Sequence, residues 1–473
     1  MKCLALVLFV ICVHSALSKL QPKYQWKEVE YAWPSPQAKE AAIASGRYKP
    51  ENNLPLGLDV WKNKLFITVP RWKSGVASSL NYVDINDEES PILIPYPSWE
   101  ANTIESDVST SDVTAAGRVN AAQATIKEGP LKDNATIIST FRIQVDECDR
   151  LWVMDTGLAD ILGSPQQLAP PALVVFDLNT DKLIRRYTFK PSDAKSDTFF
   201  ANVIVDIPKH QCENAYAYIP DLGAYGVVVY SWRENKSWRV KHNYFHFDPV
   251  SGDYNVGGVN FQWTDGVFGM ALGRQTDEGT RTVYFHALSS TFEFCVPKSS
   301  ERLSMFFLWT DGVFGMALGR QTDEGTRTVY FHALSSTFEF CVPNFVLQNE
   351  TRATSPESYK DYSLLGHRGP NGQSSAEFFD EKSNVLFYTQ VNKDAVYCWN
   401  ADKPYIPDNL GLVDSDSDSL IFPNDLKVDQ NGTLWVLSDR MPVFIYSKLD
   451  PTQYNYRILN GKVSDLISGT ACE

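Results

Sequence analysis

One phrase, said twice, limits what this chain can fold into. Val428–Asp439 reads V-D-Q-N-G-T-L-W-V-L-S-D and Val145–Asp155 reads V-D-E-C-D-R-L-W-V-M-D. Both place a tryptophan six residues after an aspartate: Asp429 to Trp435, and Asp146 to Trp152. An apolar strand, a tight polar turn and a second strand of aromatic and β-branched residues make a hairpin. Looser copies run through Gly57–Val69, Asn202–Asp221, Val267–Leu288 and Ala376–Val391, giving six hairpins in all. They start near residues 57, 143, 203, 268, 376 and 426.

Two interruptions explain the uneven spacing. Residues 104–135 are small and polar without strand alternation, as an inserted loop would be. Trp263–Pro297 and Trp309–Pro343 are identical over 35 residues at an offset of 46. Perfect identity, beside hairpins that have otherwise diverged, points to a recent exon duplication or a gene-model error covering 298–343. With both set aside, the units are roughly 50–65 residues long, enough for four short strands, the period of propeller blades. The fold class expected is all-β: a six-bladed β-propeller with four-stranded antiparallel blades, a single domain over 19–473. A closed ring has no slot for the second copy, which must bulge outside or compete with its twin. Ahead of the ring, Gln37–Ser45 suits a helical turn or two.

The first 18 residues, with Lys2 ahead of the apolar run Leu4–Val13 and small residues after it, read as a secretory signal peptide. The expectation is a secreted, extracellular protein. No later stretch is long and apolar enough to span a membrane. Net charge is −14, which argues against nucleic acid or an anionic membrane as partner. Six cysteines remain beyond the signal peptide, Cys148, Cys212, Cys295, Cys341, Cys398 and Cys472, and outside the cell these favour disulfides over zinc. Sequons at Asn134, Asn235, Asn349 and Asn431 predict glycosylation.

Standard catalytic signatures are missing: G-x-S-x-G, H-E-x-x-H, the Walker loop and G-x-G-x-x-G. No two histidines are spaced as a metal pair, so neither metal nor cofactor is expected. Candidate channel residues come from hairpin geometry. Arg142, Asn202 and Asp425 each lie four residues before a hairpin aspartate (Asp146, Asp206, Asp429), on the same strand face. Asp155, Asp221 and Asp439 end the second strands. The aspartates either close turns on backbone N–H groups or form an acidic mouth for an alkylammonium with an aromatic wall. Trp152 and Trp435, mid-strand in apolar runs, belong to the core.

The motifs L-P-L-G-L-D (54–59), L-F-I-T-V-P-R-W-K-S-G (65–75), V-D-E-C-D-R-L-W-V-M-D-T-G (145–157), N-V-G-G-V-N-F-Q-W (255–263), Y-C-W-N (397–400), F-P-N-D-L-K-V-D (422–429) and L-W-V-L-S-D-R-M-P-V-F (434–444) resemble the Yellow / major royal jelly protein family of insects, its Yellow branch most closely. The resemblance covers nearly the whole chain. It implies an extracellular six-bladed propeller tied to cuticle melanisation and to catecholamine or indole metabolism. It also implies disulfides Cys148 with Cys212 and Cys341 (or Cys295) with Cys398, and a pocket near Asn424 and Ser438–Met441. The sequence departs from the family at Asp149, where glycine is usual, and at Asp439 and Met441, where the amine-binding members carry Asn and an aromatic. A carboxylate suits an amine, while methionine removes a stacking ring. The function expected is pigmentation through binding of a small aromatic amine or catechol in the central channel, with Arg142, Asn202, Asn424, Asp425, Asp439 and Met441 as candidates and catalysis left open. The alternatives are a dopachrome-converting isomerase, whose base would be a carboxylate of raised pKa, and a structural or storage glycoprotein. Metal-dependent hydrolysis with Asn202, Asn424 and Asp425 as ligands comes last.

Overall fold

The computed structural model describes residues 19–104, 135–208, 211–242, 245, 253–262, 267–275, 281–287, 313–323, 325–333 and 336–473. The expected signal peptide, nearly all of the polar loop, Asn134 and Cys295 lie outside the described residues. Within them five of the six expected hairpins, all but Val267–Leu288, are the inner pairs of four-stranded antiparallel sheets, and with a blade built on the doubled segment these form a six-bladed β-propeller. Blade 1 runs Gly57–Trp61, Lys64–Thr68, Leu80–Asp84 and Ile94–Pro95 from axis to rim, and blade 2 runs Thr140–Val145, Arg150–Asp155, Ala172–Asp177 and Lys182–Thr188. Blade 3 has Ile204–Asp206, Tyr216–Asp221, Gly226–Ser231 and Lys236–Val240; blade 5 has Glu377–Asp380, Val385–Gln390, Ala395–Asn400 and Leu410–Ser415.

Blade 4 takes its strands from the second copy of the doubled segment, Val313–Leu318, Arg327–Ala333 and Phe338–Pro343, followed by Ser363–His367. The first copy forms its own hairpin, Val267–Gln275 with Arg281–Ala287. It joins the same sheet where Arg281 and Thr282 pair in parallel with Arg327 and Thr328. Blade 6 consists of Pro423–Val428, Thr433–Ser438 and Tyr456–Lys462, and its outer strand is the N-terminal Gln21–Trp26, with Tyr24 opposite Ile458. That strand closes the ring by joining the two ends of the chain. The sequence reading placed no strand before Leu58, because a partner more than 400 residues away leaves no local pattern. The short helix expected near Gln37–Ser45 is Pro36–Ala44, capped by the Ser35 side chain on the Ala38 N–H.

Strand alternation assembles the core. In Arg150–Asp155, Leu151 and Val153 point toward blade 1 and pack with Phe66, Tyr96 and Ile143. Trp152 and Met154 point the other way and pack with Ala217, Ile219 and Tyr230 of blade 3. Ala172–Asp177 repeats the split, Val174 and Phe176 on one side and Leu173 and Val175 on the other. A sheet covered on both faces needs apolar residues at every position of its middle strands, as in Gly226–Ser231, which is buried throughout. The outer strand Lys182–Thr188 has only one neighbour and carries Lys and Arg. Trp152 and Trp435 are core residues, as expected.

Two disulfides join separate segments of the ring among the described residues. Cys148–Cys212 ties blade 2 to blade 3, the pairing the resemblance implied. Cys398, by contrast, is bonded to Cys472 and not, as the resemblance implied, to Cys341 or Cys295. The C-terminal tail lies against blade 5, where Asn400 and Lys403 reach the carbonyls of Cys472 and Ala471, so Cys472 is the sulfur within reach. Asn235, Asn349 and Asn431 are all exposed. No helix among the described residues is long and apolar enough to cross a membrane.

Candidate functional site

The repeated aspartate-to-tryptophan step has a mechanical purpose. Asp429 accepts the N–H groups of Asn431 (2.8 Å) and Thr433 (3.0 Å) with one oxygen and the Trp435 indole (2.9 Å) with the other. Asp146 accepts Cys148 N–H (2.9 Å), Arg150 N–H (2.9 Å) and the Trp152 indole (2.7 Å) in the same way. One carboxylate thus closes the turn and fixes the tryptophan that fills the seam between blades. Asp149 occupies the left-handed turn position at φ 57°, and its side chain accepts the Trp61 indole at 2.6 Å, which a glycine there could not do.

The aspartates that end the second strands divide. Asp155 accepts the N–H groups of Ser139 and Gly157 and pairs with Arg186 at 3.0 Å. Asp221 accepts Phe199, Gly223 and Ala224 and pairs with Arg239 at 2.7 Å. Both close turns. Asp439 differs: its partners are the Met441 N–H (3.0 Å) and the Asn424 side-chain amide (2.5 Å). Burial pushes its carboxyl up to about 8, against the opposing pull of Asn424, the Met441 N–H and Arg142. At neutral pH it is a neutral acid.

The inner strands are laced together across blade boundaries. Asp425 of blade 6 accepts the Leu58 N–H of blade 1 (3.0 Å), Asp59 accepts Val145 of blade 2 (2.7 Å), and Gln144 accepts Val205 of blade 3 (2.8 Å). Arg142 reaches over this lacing: its guanidinium donates to the Asn424 backbone and side-chain oxygens and lies 3.8 Å from Asp425. Lys427 stands 4.0 Å from the same carboxylate. Burial pushes the Asp59 carboxyl up to about 7. Of the residues singled out in the sequence, Arg142, Asn424, Asp425, Asp439 and Met441 are joined by direct contacts, the last through its sulfur 3.7 Å from the Asn424 amide. Asn202 is buried at the inner edge of blade 3 with its side-chain oxygen on the Val203 N–H. An aromatic chain flanks Arg142 through its neighbour Phe141, whose ring centroid lies 5.5 Å from Trp72 and 4.7 Å from Phe199. Beyond Met441, Phe444 has the Lys73 ammonium 3.8 Å from its ring centroid.

A second polar cluster escaped the sequence reading. His332 on the second strand of blade 4 directs Nδ1 at Glu377 Oε2 (2.9 Å), on the inner strand of blade 5, and at Glu339 Oε2 (3.2 Å), on the third strand of blade 4. Arg368 donates to Glu339 at 2.5 Å and to the Gly372 carbonyl at 2.7 Å. All four residues are buried. Burial, then the charges of Arg368 and Arg142, holds His332 well below the usual imidazole range, so the ring is neutral. Burial raises Glu339 and Glu377 well above the carboxylate range, each also feeling the other. A side chain at Gly315, on the inner strand Val313–Leu318 of blade 4, would run into the His332 ring at 2.3 Å, so this glycine makes room for the cluster. No spacing in the sequence marks it, because His332, Glu339 and Glu377 come from three different strands.

The model of the family described as "Major royal jelly protein" matches this chain twice, over residues 138–304 and 300–472, one match for each copy of the doubled segment. "Protein yellow" of Drosophila guanche is 38% identical over 474 residues, covering 99% of this chain and 70% of its own length. "Protein yellow" of Drosophila melanogaster is 38% identical over 462 residues, covering 97% and 71%. Among solved structures, virginiamycin B lyase from Staphylococcus aureus aligns with a TM-score of 0.40 and 9% identity over 87% of this chain and 96% of that one, a likeness too loose to bear on function.

Proposed function

Because this chain belongs to the major royal jelly protein family, we propose that it is an exported Yellow-type propeller that acts in cuticle pigmentation by binding a small catechol- or indole-type molecule at the axis of the ring. The observation that carries the reading is the Asn424–Asp439–Met441 contact set at the end of blade 6, backed by Arg142 and flanked by the Trp72–Phe141–Phe199 chain. An aromatic ligand needs ring and sulfur surface on its faces and a few fixed polar groups for its hydroxyls or amine. Asn424 offers an amide already oriented by two partners. Asp439 offers a carboxyl that is neutral alone and ionises when an ammonium arrives beside it.

Calorimetric titration of the purified protein with dopamine and with serotonin tests this. A heat change saturating near one ligand per chain, lost in Asn424→Ala, supports the proposal. Absence of heat with both ligands rejects it in favour of a protein partner. Dopachrome mixed with the protein in parallel should fade no faster than in buffer; accelerated fading would instead indicate an isomerase.

A further inference from the structure

We propose that His332, Glu339 and Glu377 form a binding site for one divalent transition-metal ion, of the zinc or manganese class, at the seam between blades 4 and 5. The proposal is independent of the axial ligand and runs against the expectation, drawn from histidine spacing, that the chain holds no metal.

The geometry is the first argument. One nitrogen and two carboxylate oxygens lie within 4.8 Å of one another. The two edges from His332 Nδ1, 2.9 and 3.2 Å, are close to the roughly 3.0–3.4 Å that separate ligands sharing one ion at about 2.1 Å. The Ser374 backbone acts on the ring from its other side, where a hydrogen bond would orient the imidazole as ligating histidines usually are. Arg368 plays the same part for Glu339.

The second argument is charge and satisfaction. Glu339 Oε1 and Glu377 Oε1 are buried polar atoms with no hydrogen-bond partner among the described residues. The carboxyls themselves lie within hydrogen-bond reach of each other. Two ionised carboxylates beside a neutral imidazole, with Arg368 the guanidinium in contact and Arg142 already engaged by Asn424 and Asp425, leave negative charge in a buried seam, which is costly. Either a shared proton or a cation must relieve it. A dication ionises both carboxyls and expels that proton, and a neutral imidazole already presents the lone pair a metal needs. A native protein keeps few buried polar atoms unpaired, and two such atoms on the two carboxyls of one buried cluster ask for an occupant.

The choice of test variant follows from the doubled segment. His332 and Glu339 have identical twins at His286 and Glu293, whereas Glu377 has none. The full-length protein, stripped with chelator and dialysed, would be titrated with zinc chloride and with manganese chloride in two buffers of different ionisation enthalpy, followed by gel filtration and elemental analysis. The expectation is one ion retained per chain, about one proton released per ion, and at least about 100-fold weaker binding in Glu377→Gln. Retention of no ion by the wild-type protein, or equal affinity and proton release in Glu377→Gln, would overturn the proposal and leave a proton-sharing pair. Should Glu377→Gln fail to fold, cobalt substitution decides. Visible absorption of a protein-bound cobalt site at one equivalent supports the site, and the spectrum of aqueous cobalt alone refutes it.

Discussion

The two copies of the aspartate-to-tryptophan hairpin provide a controlled comparison inside one molecule. Asp429 and Asp146 each hold two turn amides and one indole, but only Asp146 also holds a buried guanidinium, Arg150, at 2.6 Å. In Asp429→Ala the exposed turn amides turn to water at about 0.5–1 kcal/mol each, and the Trp435 indole loses its acceptor at about 1–2 kcal/mol, for a total near 3 kcal/mol. In Asp146→Ala the same three losses recur, and Arg150 is left in the seam without its carboxylate, which costs about 3–5 kcal/mol. Arg150 keeps the Cys212 carbonyl at 3.1 Å and the Trp232 ring at 4.7 Å, so the lower figure applies and the total is about 6 kcal/mol. Urea unfolding followed by tryptophan fluorescence and far-ultraviolet circular dichroism should therefore show Asp146→Ala about 3 kcal/mol worse than Asp429→Ala. The double variant Asp146→Ala/Arg150→Leu should recover a large part of that gap. Equal losses in the two single variants would refute the assignment of the extra cost to the buried ion pair.

Other outcomes follow from the same contacts. Asp439 has a folded pKa of about 8 against an unfolded value near 4, so between those pH values the unfolded chain has released a proton the folded protein keeps. Its contribution is therefore full below pH ~4 and is lost as pH rises to ~8, and Asp439→Asn should gain on the wild type by about 1 kcal/mol per pH unit or somewhat more across that window when melting is followed against pH. The Cys398–Cys472 bond closes a loop spanning 74 residues; Cys472→Ser should cost up to about 4 kcal/mol by chain entropy and expose the C-terminal tail to carboxypeptidase. Gly315→Ala should destabilise through its clash with His332, by about 2 kcal/mol in the same urea assay.

Local signals carried the fold a long way. Each inner hairpin pairs strands a few residues apart, so alternation and turn residues are enough to find it, and Asp146 and Asp429 mark their turns in the sequence itself. The closing strand Gln21–Trp26 was illegible because its partner, Tyr456–Lys462, lies at the other end of the chain. The same distinction runs through the site. Arg142, Asn424, Asp425 and Asp439 could be singled out because they sit at fixed offsets within hairpins. That Asp155 and Asp221 are paired with cations while Asp439 meets only Asn424 and the Met441 N–H depends on Arg186 and Arg239, which reach those two carboxylates from two strands away in their own blades. His332 and Glu339 meet across adjacent strands of blade 4, and Glu377 joins them only because blade 4 lies against blade 5, a fact no spacing encodes. Likewise Cys398 turned to Cys472 because the tail folds back on blade 5, which the motif resemblance did not describe.

The central claim is that the axis of the ring, at Asn424 and Asp439, receives a small aromatic molecule. A crystal structure of the protein soaked with dopamine tests it most directly. The account predicts electron density for one ring at the axis, with a hydroxyl or the amine within hydrogen-bond distance of Asn424 or Asp439 and a ring face against Met441. Density confined to the outer surface, or an axis filled by side chains with no ligand at saturating dopamine, would contradict it.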